Sequence, residues 1–263
     1  MTEQEYRAHP ALNASYLKNV LAHSVKYADW CNREFQPTPA MQLGTAVHSR
    51  VLPNQGFFDQ YALCDLPRNT KAGKDLAASI EEEGKIALTG AQWNTIDGIA
   101  QSIAGNPEIA EFMYQGQCVT EHPILFTHPE TQHGMKSLLD HVNLDKAALI
   151  DLKTTSNLIG YTKDFWARYV DLQIAQYRMA ALCEGIEIRE CYILAVETSP
   201  PFEAQMFLIE PDAIAIGEIR LREALDKYDR AQQTGETGLD TFNVIEAPAW
   251  LAAKYASEES PFK

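Results

Sequence analysis

The sequence predicts an α/β (α+β) chain: a mixed central sheet flanked by helices, behind a helical N-terminal region. Three observations predict it. Segments 119–126, 135–142 and 147–153 read as strands in succession, separated by the turn-like His128-Pro129-Glu130 and Asn143-Leu144-Asp145. A helical stretch over 163–183 separates them from two further strands, 190–197 and 204–209. A long helix over 211–233 completes the order β-β-β-α-β-β-α.

The helical lead-in covers residues 1–110. Residues 13–32 carry apolar side chains at helical spacing, with Asn13 or Ser15 placed to cap the start. Pro37 and Pro39 break the chain. Residues 43–52 read as a short helix carrying Gly44, His48 and Arg50. Residues 65–75, with Pro67 and Gly73, read as a polar loop. Thr89 and Gln92 have capping-box spacing, and their helix turns Ile96, Ile99, Ala100 and Ile103 inward before stopping near Gly105-Asn106-Pro107. Further on, Gly185 ends the 163–183 helix, and Pro211 and Gly235 bracket the last long one. The tail after Thr241, with Pro248 and Trp250, reads as a short packed helix.

Composition narrows the class. The chain has 263 residues, 46% of them hydrophobic, which supports a sizeable core. No apolar run approaches the ~20 residues of a membrane span. The acidic, polar start Met1-Thr2-Glu3-Gln4-Glu5-Tyr6 does not resemble a secretory signal. The five cysteines (Cys31, Cys64, Cys118, Cys183, Cys191) form no CxxC pair. They argue against a disulfide framework, a zinc ribbon or an iron–sulfur cluster, and fit a reducing cytoplasm.

The formal net charge of −14 opposes a nucleic-acid partner, because such binding draws on cationic surface. Net charge does not fix the local field, however, and bound cations neutralise carboxylates. Arg68, Lys71 and Lys74 are close enough in sequence to form a phosphate-facing patch; a solvated loop fits them equally well.

The chemistry centres on Asp151-Leu152-Lys153. On a strand, residues two apart project from one face. A carboxylate there can bind a hard cation, and an ammonium beside it can orient a water or stabilise charge on a phosphate. The apolar run Ala147-Ala148-Leu149-Ile150 leads straight to the pair. Taken alone, the pattern also fits a strand-end salt bridge. Asp140, eleven residues upstream, lies in the preceding strand. A tight turn at 143–146 would make the two strands antiparallel neighbours, so that both aspartates converge on one cation; a surface Asp before a turn is the alternative. Glu121, in the first strand, can add a third carboxylate or face solvent. His48 can face a metal or be a satisfied core histidine. Gln173 and Tyr177 are four apart and share a helix face, from which both can reach a phosphate or fix Lys153. An ordinary amphipathic helix, with Ile174, Met179, Ala180 and Leu182 as its core side and Arg178 solvated, accounts for the same stretch.

Together these motifs carry a resemblance. His48 within Gly44-Thr45-Ala46-Val47-His48, Asp140, Asp151-Leu152-Lys153 and Gln173-Ile174-Ala175-Gln176-Tyr177 stand in the order found in the RecB-like branch of the PD-(D/E)XK nucleases. Across nearly its whole length the chain most resembles the RecE-type exodeoxyribonucleases (exodeoxyribonuclease VIII). The segments Pro10–Lys18 and Arg68–Lys74 add to the likeness. Two positions depart from the pattern. Leu139 stands where the family has proline before the first aspartate, and Asp151 stands in place of glutamate. The chain is also much shorter than full-length RecE.

The resemblance implies one PD-(D/E)XK, restriction-endonuclease-like domain over 1–263, with its catalytic core at 117–235. It implies a magnesium-dependent exonuclease, manganese being a possible substitute, that degrades duplex DNA from 5′ ends. The 3′ single strands left behind would serve a single-strand annealing partner in recombination, often in a prophage setting, and the assembly would be a ring-shaped homotetramer. By the same carry-over Asp140 and Asp151 are metal ligands and Lys153 is the catalytic lysine. His48 is a ligand or stands beside one, and Glu121 is a looser match; the cation would sit between Asp140, Asp151, His48 and the Leu152 carbonyl. Gln173 and Tyr177 stand near the substrate, and Arg68, Lys71 and Lys74 contact DNA. A structure-specific endonuclease of the same superfamily and a non-catalytic DNA-end binding module remain alternatives, with a protein-only scaffold further off.

Overall fold

The computed structural model describes residues 3–53, 55–242 and 244–255. The lead-in is helical but more finely divided than its periodicity implies. After α1 (Glu3–Ala8), the stretch read as one helix over 13–32 is two, α2 (Ala14–Ala22) and α3 (Val25–Arg33). Asn13 caps α2 by accepting from the Tyr16 amide, and Ser24 caps α3 by accepting from that of Tyr27. The next helix, α4 (Pro39–Val51), begins earlier than expected. Thr38 caps it and Pro39 occupies its first turn, where the missing N–H costs nothing.

The 65–75 segment is not wholly a loop. α5 (Phe57–Gln60) and β1 (Tyr61–Cys64) precede it, and α6 (Lys71–Glu82) starts inside it, with Thr70 accepting from the Gly73 amide. β2 (Ile86–Thr89) pairs in parallel with β1. These two strands are too short for alternation to reveal them. α7 (Gly90–Gly105) opens on the Thr89–Gln92 capping box and buries Ile96, Ile99, Ala100 and Ile103; α8 (Pro107–Tyr114) follows, capped by Asn106.

The main sheet has five strands in sequence order: β3 (Cys118–Thr127), β4 (Gly134–Asn143), β5 (Ala148–Thr155), β6 (Glu190–Glu197) and β7 (Ala204–Leu208). All neighbours are antiparallel except β5 and β6, which are parallel. A parallel pair needs a crossover. It is supplied by α9 (Tyr161–Ala167) and α10 (Val170–Cys183), where one helix over 163–183 was expected. The break falls at Tyr169, whose φ of 52° is left-handed. α11 (Pro211–Thr234) ends at Gly235, again left-handed, and α12 (Ala249–Tyr255) lies in the tail. Among the described residues no helix is long and apolar enough to cross a membrane.

Helices cover both faces of the sheet. Ile150, Leu152, Leu194 and Val196 pack with Ala46 and Val47 of α4 and Ile96 and Ile99 of α7. Leu149, Ile193 and Ala195 pack with Ile174 and Ala180 of α10. α10 is buried nearly all round through its first two turns, because α2 and α11 cover its outer side. Its core is therefore not a single amphipathic face, and Leu182, expected inside, is exposed. Gly217 permits the close crossing of α11: a Cβ there would sit 2.2 Å from the Asp171 carbonyl oxygen.

Candidate active site

β5 alternates its side chains between the two cores. Ile150 and Leu152 enter the α4–α7 side; Leu149, and by parity Asp151 and Lys153, face α10. β4 and β5 are paired only over His141↔Ile150, Val142↔Leu149 and Asn143↔Ala148. The next step of that register sets Asp140 opposite Asp151, and there the ladder stops. The Leu152 N–H donates instead to Asp140 Oδ2 at 2.9 Å, so a carboxylate takes the place of a strand carbonyl. Further along, the opened edge of β4 is satisfied by others. The Lys136 N–H donates to the Leu12 carbonyl, and Gln176 Nε2 donates to the Lys136 carbonyl at 3.0 Å.

α4 lays His48 over this opening. Its Nε2 lies 3.0 Å from the Leu152 carbonyl, the geometry of an Nε2–H donor. Nδ1 then faces Glu121 Oε1 at 3.4 Å and Asp140 Oδ2 at 3.8 Å. Glu121 arrives by an unusual backbone. Its φ is 45°, and the β3–β4 ladder skips it between Thr120↔His141 and His122↔Leu139. A left-handed residue with a Cβ costs about 1–2 kcal/mol, and such outliers gather at functional sites.

One ligand atom from each of His48, Glu121 and Asp140 lies within 4.8 Å of the other two. Carboxylates drawn together repel unless a proton or cation stands among them. The His48 imidazole reflects this. Burial alone would lower its pKa, but Asp140 and Glu121 raise it above the ordinary value. Two carboxylates and an imidazole are a donor set that fits a divalent cation.

A second hydrogen-bonded set adjoins the first. Asp151 is fully buried, with Lys153 Nζ 2.6 Å from its Oδ2 and Gln173 Nε2 donating to its Oδ1 at 2.9 Å. Burial pushes the Asp151 carboxyl up; Lys153 opposes this and Asp140 adds to it. Burial would depress Lys153, but Asp151 and Asp140 outweigh it and hold the group as an ammonium. Gln173 also donates to the Tyr177 hydroxyl at 3.0 Å. Burial, with Asp140 and Asp151 nearby, drives that phenol well above its usual range and keeps it neutral.

The structure thus brings seven of the residues singled out above into two touching groups. Leu152 joins them, its N–H on Asp140 and its carbonyl on His48. Asp151 is not one of the three gathered donors, because its oxygens face Gln173 and Lys153. Gln173 reaches Asp151 rather than Lys153. Arg68 donates to the Ala87 carbonyl of β2. Lys71 and Lys74 stand exposed at the start of α6, which packs on β1 and β2.

Two features escaped the sequence. Lys18 of α2 donates to Gln173 Oε1 at 2.5 Å, and its only sequence signal was its place in the Pro10–Lys18 segment. Asp171, fully buried on α10, is held by Arg220 Nη1 of α11, 2.9 Å from each carboxylate oxygen. The guanidinium also lies against the rings of Trp166 and Tyr169. Nothing local in sequence pairs residues on separate helices.

Comparison with known proteins bears on the whole arrangement. A family model described as a PDDEXK-like domain of unknown function (DUF3799) matches residues 14–239. No curated protein matches the chain in sequence. Among solved structures, a chain from Eubacterium rectale described as a "putative exonuclease" superposes with a TM-score of 0.64 at 14% identity, covering 98% of each chain. It shares the fold. The structure of SSO0001 has a TM-score of 0.32 at 13% identity, covering 74% of this chain and 86% of its own, a likeness too slight to use.

Proposed function

The chain belongs to the PDDEXK-like family DUF3799, and from that membership we propose that it is a magnesium-dependent DNA exonuclease of the RecE type. In this reading it hydrolyses phosphodiester bonds of duplex DNA from 5′ ends. The 3′ single strands then pass to an annealing partner in recombination, in a prophage setting. The assembly is a ring-shaped homotetramer, and manganese substitutes for magnesium. The Eubacterium rectale protein's description as an exonuclease points the same way.

The observation that carries the proposal is the gathering of His48, Glu121 and Asp140 within 4.8 Å, beside the buried Asp151–Lys153 pair. When bound, a divalent cation supplies charge neutralisation on the scissile phosphate and a water of lowered pKa. His48, Glu121 and Asp140 would hold it, with Asp151 and the Leu152 carbonyl alongside. Lys153, an ammonium held by Asp151, directs its remaining N–H bonds at the attacking water and the phosphate oxygens. Gln173 keeps Asp151 turned toward Lys153. Lys71 and Lys74, with Arg68 at the same edge, meet backbone phosphates. The net charge of −14 is reconciled if the cationic groups face a central channel while the outer surface stays acidic.

Digestion of duplex DNA labelled at either end, with and without magnesium, tests the reading. Magnesium-dependent loss of the 5′ label first, with closed circles spared, is the expected result. Cutting of closed circles would mark an endonuclease of the same superfamily. End binding without cleavage would mark a non-catalytic module, and no binding at low salt a protein-only scaffold.

A further inference from the structure

Lys18 lies on α2 between the buried Leu17 and Val20, and α2 packs against α10 and α11. From there its ammonium donates to Gln173 Oε1 at 2.5 Å. A carboxamide has one accepting end and one donating end, and an ammonium can only donate. With Lys18 on the oxygen, the Gln173 NH2 must face the other way, toward Asp151 Oδ1 at 2.9 Å and Tyr177 Oη at 3.0 Å. The flipped amide would set its oxygen against the Asp151 carboxylate and its NH2 against the ammonium, losing bonds at both ends. Lys18 and Asp151 therefore clamp Gln173 in one orientation from its two ends, and Gln173 holds the oxygen of Asp151 that Lys153 leaves free.

The placement runs against the preference of the lysine itself. Burial, and then the Lys153 ammonium, lower the Lys18 pKa to about 8. A surface helix would have kept such a side chain in water. Asp151 is flanked by two ammonium-bearing arms, one direct and one through an amide.

We propose that Lys18 is a positioning residue for Asp151, acting through Gln173, so that the N-terminal helix α2 forms part of the catalytic arrangement. The inference rests on the nuclease reading above. It assigns a role to α2, which lies outside the Asp140, Asp151-Lys153 and Gln173-Tyr177 motifs.

The test uses the full chain. Lys18→Met should lower kcat for magnesium-dependent DNA cleavage by about 10- to 100-fold, the usual effect of losing a residue that orients a metal-site carboxylate. KM for DNA should change by less than about twofold, since no substrate contact is lost. Lys18→Arg, another obligate donor, should recover most of the rate. The double variant Lys18→Met/Gln173→Leu should be no slower than Gln173→Leu alone, because the two act in series. A raised KM with unchanged kcat, or multiplicative losses in the double variant, would overturn the proposal.

A second readout does not need activity. The Gln173 side-chain amide resonances, assigned by their disappearance in Gln173→Leu, should shift in Lys18→Met and return in Lys18→Arg. Unmoved resonances would overturn the inference even in an active enzyme. A wild-type protein that cuts no DNA would sink the nuclease reading while leaving this signature to be judged by itself. Should Lys18→Met fail to fold, Lys18→Gln, too short to span the gap, takes its place in the same measurements.

Discussion

The side chain of Asp140 finishes a strand ladder. Its Oδ2 accepts the Leu152 amide at 2.9 Å, one step past the last β4–β5 pair, and also faces His48 Nδ1 at 3.8 Å. One carboxylate thus serves the fold and the proposed cation. Asp140→Asn separates the two duties, because a carboxamide oxygen still accepts the amide but carries no charge. The variant should melt within a few degrees of wild type yet lose divalent-cation binding and nuclease activity. Calorimetric titration with Mn2+, run beside thermal unfolding, checks both halves.

At Lys153 the two losses should come together. Lys153→Met removes the ammonium proposed to act on the phosphate, and cleavage should fall about 100- to 1,000-fold. It also leaves Asp151 fully buried without its partner, and breaking such a pair costs about 3–5 kcal/mol. Adding Asp151→Asn should restore much of the stability and none of the activity. Denaturant unfolding of the two variants gives the comparison.

Glu121 holds a left-handed φ of 45°. Glycine adopts that conformation freely, so Glu121→Gly relieves about 1 kcal/mol of backbone strain while loosening the chain when unfolded. Stability should stay level or rise slightly, while Mn2+ affinity falls. A variant that is both destabilised and fully competent in cation binding would show that the strain serves packing instead.

His48 sets a pH dependence. Its folded pKa is raised above 6.5, because Asp140 and Glu121 outweigh burial. A raised value means that its contribution to stability is complete below about pH 6.5 and disappears as pH rises through the folded value. The cation-free protein should therefore lose melting temperature across that window, and His48→Gln should lose less. A divalent cation competes with the same proton, so Mn2+ should bind more tightly as pH rises and release a proton on binding. Calorimetry in buffers of different ionisation enthalpy measures the release.

Most of the main sheet could be read from sequence because its strands are rich in apolar and β-branched residues and are bounded by turn residues. The Asp151-Lys153 spacing by itself places both side chains on one face. The β1–β2 sheet could not be read, since four residues give too little alternation. The break at Tyr169 stayed hidden because apolar periodicity runs on across it. The start of α6 was masked by Pro67 and Gly73, which look like loop residues, although Thr70 is an ordinary helix cap. The reach of Lys18 to Gln173, 155 residues away, and of Arg220 to Asp171 depends on how helices stack. Local spacing carries no record of that.

The most direct measurement is an anomalous difference map from a crystal grown with Mn2+. A peak among His48 Nδ1, Glu121 and Asp140, beside Asp151, is what the account predicts. A map with no peak there, from crystals of protein that still cleaves DNA with Mn2+, would contradict it.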